Sequence, residues 1–237
     1  MLTMMLFAIT ACEKDEQETT ISGILPNKIT QITWNGVFDS GTESETYNFK
    51  YDNESITSGF GYFTYQNNSV VVNDLDNEPE GTFIIEDAKA ISFKLNNGKT
   101  TEYNYQNGYL TSFSSNGSQY KFTMQDGKLT KYTIKNDNVD TEYSFEYNGQ
   151  KNNLNIDLFT LADIFEYHYE YASRLGLIGN RFEYLPTKIT ETTVFNNQTT
   201  SSTISFEYKM LGQYISQIII STQEQSTSFK EIYSIEY

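Results

Sequence analysis

Five dipeptides govern what this chain can become: Asn97-Gly98, Asn107-Gly108, Asn116-Gly117, Asp126-Gly127 and Asn148-Gly149. Each joins a residue that tolerates positive φ to one with no Cβ to oppose it, the combination that a tight hairpin turn requires. The runs around them alternate. Tyr47, Phe49 and Tyr51 are interleaved with Asn48 and Lys50, Tyr103 and Tyr105 flank Asn104, and Tyr143, Phe145 and Tyr147 flank Ser144 and Glu146. A period of two places the rings on one face and the polar groups on the other, the pattern of half-buried antiparallel strands. From Thr101 to Gly149 the chain therefore reads as a meander of hairpins, and with 3 prolines in all, few ladder donors are lost.

Degenerate repeats support the same fold. Tyr105-Gln106-Asn107-Gly108-Tyr109-Leu110-Thr111 is echoed by Met124-Gln125-Asp126-Gly127-Lys128-Leu129-Thr130, as repeated hairpins in one sheet would be. Leu25-Pro26-Asn27-Lys28-Ile29-Thr30 is echoed by Leu185-Pro186-Thr187-Lys188-Ile189-Thr190, and each is expected to open a run of strands. The sheet is thus expected in two halves, split by the segment between Leu154 and Tyr184. Within that segment Leu161, Ile164, Phe165, His168, Ala172 and Leu175 recur at helical spacing, opposite Asp163, Glu166, Glu170 and Arg174. Thr160 suits the N-cap and Gly176 the C′ position, which predicts one short helix near residues 161-175. A rival strand reading rests on the alternation of Phe165, Tyr167, Tyr169 and Tyr171.

The N-terminus points to a membrane anchor. Leu2 to Ala11 carry no charge and lead through Ile9-Thr10-Ala11 into Cys12, the 1 cysteine of the chain. This stretch resembles the lipobox of bacterial lipoproteins, which implies lipidation of Cys12 and cleavage before it. Residues 1-11 are accordingly expected to be a lipoprotein signal peptide, truncated at its start because no basic residue precedes the apolar run. Residues 12-20 would form the lipidated cysteine and an acidic tether, and residues 21-237 a single β-rich domain. Lys14, Asp15 and Glu16 resemble the sorting signal that sends Bacteroidota lipoproteins to the exterior of the outer membrane. The apolar run is far short of the ~20 residues of a spanning helix.

Charge and composition narrow the function classes. A formal net charge of -15 disfavours nucleic acid and admits cationic ligands. Aromatic residues make up 15% of the chain and must supply much of the core. His168 is the 1 histidine, so a His-based catalytic arrangement has one candidate base, read as packed rather than catalytic. Were its segment a strand, Glu166, His168 and Glu170 would share a face and could hold a metal weakly. The acidic stretch Asn73 to Gly81, counted from Asp74, departs from the EF-hand pattern, with Pro79 and Ile85 where Gly and Glu are needed, and is read as a solvated loop. The alternating Ile232-Tyr233-Ser234-Ile235-Glu236-Tyr237 resembles the terminal strand of outer-membrane barrels. A spanning barrel, however, needs an outward row free of charge. No cofactor or metal is expected.

The lipobox at Cys12, the Tyr-rich hairpins and the segment Leu175-Gly176-Leu177-Ile178-Gly179 running into Leu185-Pro186-Thr187-Lys188-Ile189 together resemble a family of Bacteroidota lipoproteins of unknown function with porin-like folds. The resemblance implies a large curved antiparallel sheet and brings no catalytic residues. The fold expected is all-β, a large curved antiparallel sheet of hairpins forming a half-barrel or porin-like shape. The function expected is that of a surface-anchored, non-catalytic binding or interaction module for glycans or host proteins, with exposed Tyr and Trp34 stacking on sugar faces. The alternative is a carrier of a lipid or other apolar ligand in the concave face of the sheet.

Overall fold

A computed structural model describes residues 28–38, 41–154, 161–162, 164–224 and 227–237. Cys12, Lys14, Asp15, Glu16, Thr160 and Asp163 lie outside these residues, and with them the signal peptide, the tether and the proposed N-cap. The strands are β1 (Gln31–Phe38), β2 (Gly41–Asn48), β3 (Lys50–Asp52), β4 (Ser55–Ser58), β5 (Tyr62–Gln66), β6 (Ser69–Asn73), β7 (Pro79–Glu86), β8 (Lys89–Leu95) and β9 (Thr100–Gln106). They continue as β10 (Tyr109–Ser115), β11 (Ser118–Gln125), β12 (Lys128–Lys135) and β13 (Val139–Glu146). After the helix α1 (Tyr167–Arg174) come β14 (Lys188–Phe195), β15 (Gln198–Leu211), β16 (Tyr214–Glu224) and β17 (Thr227–Glu236).

Four of the five turn dipeptides link adjacent strands as their chemistry predicts, whereas the fifth, Asn148-Gly149, leads the chain out of the wall after β13, whose next partner in the sheet is β14. Asn107 and Gly108, Asn116 and Gly117, and Asp126 and Gly127 all hold positive φ, and each joins two neighbouring antiparallel strands. Every pairing between named strands is antiparallel, and successive strands pair in sequence order from β3 to β17. The sheet then returns on itself. β1 pairs with β17 from Gln31↔Glu236 to Val37↔Lys230 and with β2 from Gln31↔Asn48 to Phe38↔Gly41, and β2 runs on into β3 through Phe49. The 17-stranded sheet is thus nearly closed into a barrel, beyond a half-barrel. Its weakest seam is β4 against β5, where Ser58↔Tyr62 is the registered pair.

The segment between Leu154 and Tyr184 does not split the sheet, contrary to the reading from the paired Pro-x-Lys-Ile-Thr runs. β13 pairs directly with β14, from Val139↔Phe195 to Glu146↔Lys188, so the barrel wall is continuous there and α1 packs inside it. There α1 is shorter than its spacing predicts. Glu166 holds an extended backbone at the N-cap position with no side-chain cap, and the helix starts at Tyr167. Its end follows expectation: Gly176, at φ 73, donates N–H to Ser173 O and Leu177 donates to Ala172 O, the paired bonds of a Schellman cap. The rival strand reading is overturned by the same bonds.

Rings from the wall close around this insertion. Phe113 stacks on Tyr120 with centroids 4.4 Å apart, Phe122 lies 5.0 Å from Tyr169, and Tyr132 lies 4.8 Å from Phe165. His168, Tyr169, Ala172 and Ser173 are fully buried. The inward rows of the wall are therefore the core, and α1 fills the lumen beside β8 to β12.

Candidate functional site

One end of the barrel is sealed by the chain that follows α1. Residues 177–185 pass under the hairpin turns and bond to them in succession: Ala90 N to Leu177 O, Asn180 N to Gly108 O, Glu183 N to Gly127 O, and Leu185 N to Gln150 O. Asn180 and Glu183 pack so closely on Gly108 and Gly127 that a Cβ at either glycine would collide with them. Those glycines serve the hairpins and also let the seal lie flat.

Toward the opposite end the inward rows change character. On β14 the inward phase runs from Ile189 to Glu191 and Thr193, and on β15 from Phe206 and Ile204 to Ser202 and Thr200, with Glu191 registered against Ser202. On β16 it passes from Ile218 and Ile220 to Thr222 and Glu224, and on β17 from Ile235 and Tyr233 to Glu231 and Thr227. β2 continues the ring with Tyr47, Glu45 and Glu43 set against Ile32, Trp34 and Gly36 of β1. The lumen thus has an aliphatic floor and a mouth of carboxylates and hydroxyls. A groove of about 490 Å³ between Glu191, Thr193, Thr200, Ser202, Glu224 and Thr227 opens there.

A second cavity, of about 280 Å³, lies deeper, where β17, β1 and β2 face α1. Trp34, Tyr47, Phe60 and Tyr233 supply rings, and Glu45, Glu231, Glu170 and Arg174 supply charge. The Trp34 indole donates to Glu231 Oε1 at 2.9 Å, and Tyr233 donates to the same oxygen at 3.3 Å. Tyr47 donates to Glu45 Oε2 at 2.6 Å. Burial, followed by these carboxylates, pushes the Tyr47 and Tyr233 hydroxyls well above the usual phenol range, so both remain donors. Arg174 pairs with Glu170 at 2.8 Å and lays its guanidinium over Phe60, 4.4 Å from the ring centroid. Rings whose rims bear fixed donors and acceptors suit a ligand with both apolar faces and hydroxyl or charged edges.

The sequence-derived candidates separate. Trp34 lies in this cavity rather than on the outer surface. His168 is away from it, with Nε2 3.4 Å from Thr101 Oγ1 and Nδ1 3.3 Å from the Tyr103 hydroxyl, and burial lowers its pKa to about 4. It is a neutral, packed ring at neutral pH. Glu166 accepts from Tyr120 and Glu170 from Arg174, so the conjectured Glu166, His168 and Glu170 set does not converge. No metal-binding group occurs among the described residues. Asp74 closes its own turn by accepting from Glu78 N–H at 2.8 Å, in keeping with a plain acidic loop.

The inward carboxylates were missed by sequence reasoning, although a signal existed. Glu45 and Glu43 extend the phase of Tyr47, Phe49 and Tyr51 backwards, and Glu231 precedes Tyr233 and Ile235 in the same phase.

No family model matches the chain, and no curated protein does. Solved structures do. A porin-like protein from Bacteroides vulgatus ATCC 8482 is similar with a TM-score of 0.66 at 14% identity, over 89% of this chain and 98% of that one. Another, from Bacteroides uniformis ATCC 8492, is similar with a TM-score of 0.66 at 14% identity, over 89% of this chain and 99% of that one. At this identity the likeness speaks for the fold alone.

Proposed function

We propose that the protein is a water-exposed, non-catalytic binding cup, tethered through Cys12 to the outer membrane, whose open mouth takes glycans. The observation that carries the reading is Trp34: an indole set inside a cavity, its N–H held by Glu231, beside Tyr47 and Tyr233. A pyranose ring offers apolar C–H faces to such rings and hydroxyls to the carboxylates around them. The inward glutamates disfavour acidic sugars and leave neutral or cationic ones. Lys14, Asp15 and Glu16 belong to this reading as the signal for display on the cell exterior. The apolar-carrier alternative has less support, because the aromatic face of the lumen is already occupied by α1 and its rings.

The test is a glycan array probed with the intact protein, followed by calorimetric titration of the best neutral oligosaccharide into the protein. Trp34→Ala, with its fold checked by circular dichroism, is expected to weaken that binding about tenfold, the worth of one stacked ring. Retention of no glycan, or equal affinity in the variant, would overturn the reading.

A further inference from the structure

The deeper cavity and the groove at the mouth lie on one path, and we infer that together they bind a single oligosaccharide chain lengthwise, with Phe38 and Phe229 as the platform between them. This rests on the glycan reading above and adds the length and course of the ligand. On β17 the inward residues follow one another as Tyr233, Glu231, Phe229 and Thr227. Tyr233 and Glu231 line the deeper cavity and Thr227 lines the groove, so Phe229 is the inward side chain between the two. Val37↔Lys230 is the last registered pair of β1 with β17, which sets Phe38 beside Phe229 across the strands. Their ring centroids are 6.3 Å apart with planes 30° apart, and the Phe38 and Trp34 rings are likewise 6.3 Å apart. Both phenylalanines are only half-buried.

Gly36 makes this spacing possible. It is the inward residue of β1 between Trp34 and Phe38, and a Cβ there would collide with both rings, 2.7 Å from Trp34 and 2.5 Å from Phe38. Without a side chain at this point the two rings lean together across what is otherwise a separation of about 13 Å along the strand. Polar groups keep pace with the rings. Glu45 is registered against Trp34, and Glu43 and Glu231 flank Gly36 from the two neighbouring strands. Beyond Phe229, Thr193, Thr200, Ser202 and Thr227 line the groove with hydroxyls, and Glu191 accepts from Thr193 at 3.1 Å and from Ser202 at 2.9 Å. A chain of pyranoses repeats apolar faces and hydroxyl edges from unit to unit, and this succession of rings and acceptors matches it. A lone sugar would leave one of the two cavities empty, and an alkyl chain would have to cover carboxylates at both ends of the path.

The experiment titrates the intact protein calorimetrically with malto-, cello-, xylo- and manno-oligosaccharides of two and of six units. At least one series is expected to bind, its hexasaccharide about a hundredfold more tightly than its disaccharide because the longer chain engages two further rings. Phe229→Ala is expected to weaken the hexasaccharide about tenfold and to leave the disaccharide unchanged, whereas Trp34→Ala weakens both. The comparison of lengths in the unaltered protein depends on no variant folding. A hexasaccharide bound no more tightly than its disaccharide, or a loss in Phe229→Ala that is equal for the two lengths, would overturn the continuous path and leave the glycan reading in place. Binding of no series would instead overturn the glycan reading on which the path rests.

Discussion

At the scale of single residues the environment with the clearest consequence for stability is that of His168, buried as its spacing predicts. Its ring lies 5.1 Å from Phe113 and 5.8 Å from Phe93 and bonds to the hydroxyls of Thr101 and Tyr103, so burial keeps it neutral down to about pH 4. In the unfolded chain it takes up a proton near pH 6.5. Between these values the unfolded state binds more protons, so stability falls as pH drops through that window and is unaffected by this group above it. The loss amounts to something on the order of 3 kcal/mol by the lower limit. Urea titrations from about pH 7 to about pH 4.5 are expected to show this slope, flattened in His168→Gln. An identical slope in the variant would assign the acid sensitivity to the carboxylates instead. That the histidine is packed was legible from the apolar residues at helical spacing around it. Its partners were not, because Thr101 and Tyr103 lie more than sixty residues away.

Hairpins were the most legible elements because each turn is written in two adjacent residues. The turns without glycine were not: Asn196 and Asn197 link β14 to β15 at positive φ, and Asp87 and Ala88 link β7 to β8 in the same way. Ala88 has no local preference for that conformation and is held there by its flanking strands. The helix was overestimated because Ile164 and Phe165 serve the core as individual anchors, Phe165 against Tyr132, rather than as part of a helical face. The seal was illegible for a different reason, since it is built from backbone bonds that carry no side-chain signature. Its dependence on glycine can be measured. Gly117, at φ 82, has open space around it, so Gly117→Ala is expected to cost about 1 kcal/mol from backbone strain alone. Gly179, at φ 79, would drive a Cβ into Gly108 O and to 3.3 Å from the Tyr105 ring. Gly179→Ala is therefore expected to lose about 2 to 4 kcal/mol in chemical denaturation. Equal losses at the two sites would mean that the seal does not bear on stability.

For the whole molecule, polarity runs opposite to that of a membrane pore. A lipid-facing barrel carries its apolar band outside and its polar row inside. Here the inward rows hold Ile189, Ile204, Phe122 and Tyr132, and the outward rows hold Lys121, Lys131, Thr133, Lys135, Glu142, Ser205 and Lys209. Ion pairs cross that outer surface between neighbouring strands, Lys131 with Glu142 and Lys135 with Asp140, each at 2.9 Å. Charges there would cost several kcal/mol apiece at the midplane of a bilayer. The alternation itself was visible in the sequence. Which side the rings faced was not, because closure is set by β1 meeting both β17 and β2, across nearly the full length of the chain. Even a barrel of this size forced into lipid would conduct poorly, with α1 in its lumen and residues 177–185 laced under its turns. Planar bilayers exposed to the protein are therefore expected to show no conductance steps, and its gel mobility in mild detergent no folded-barrel band that heating shifts. Discrete steps would require the outward lysines and glutamates to leave the lipid face, a rearrangement of register in which every inward ring would turn outward.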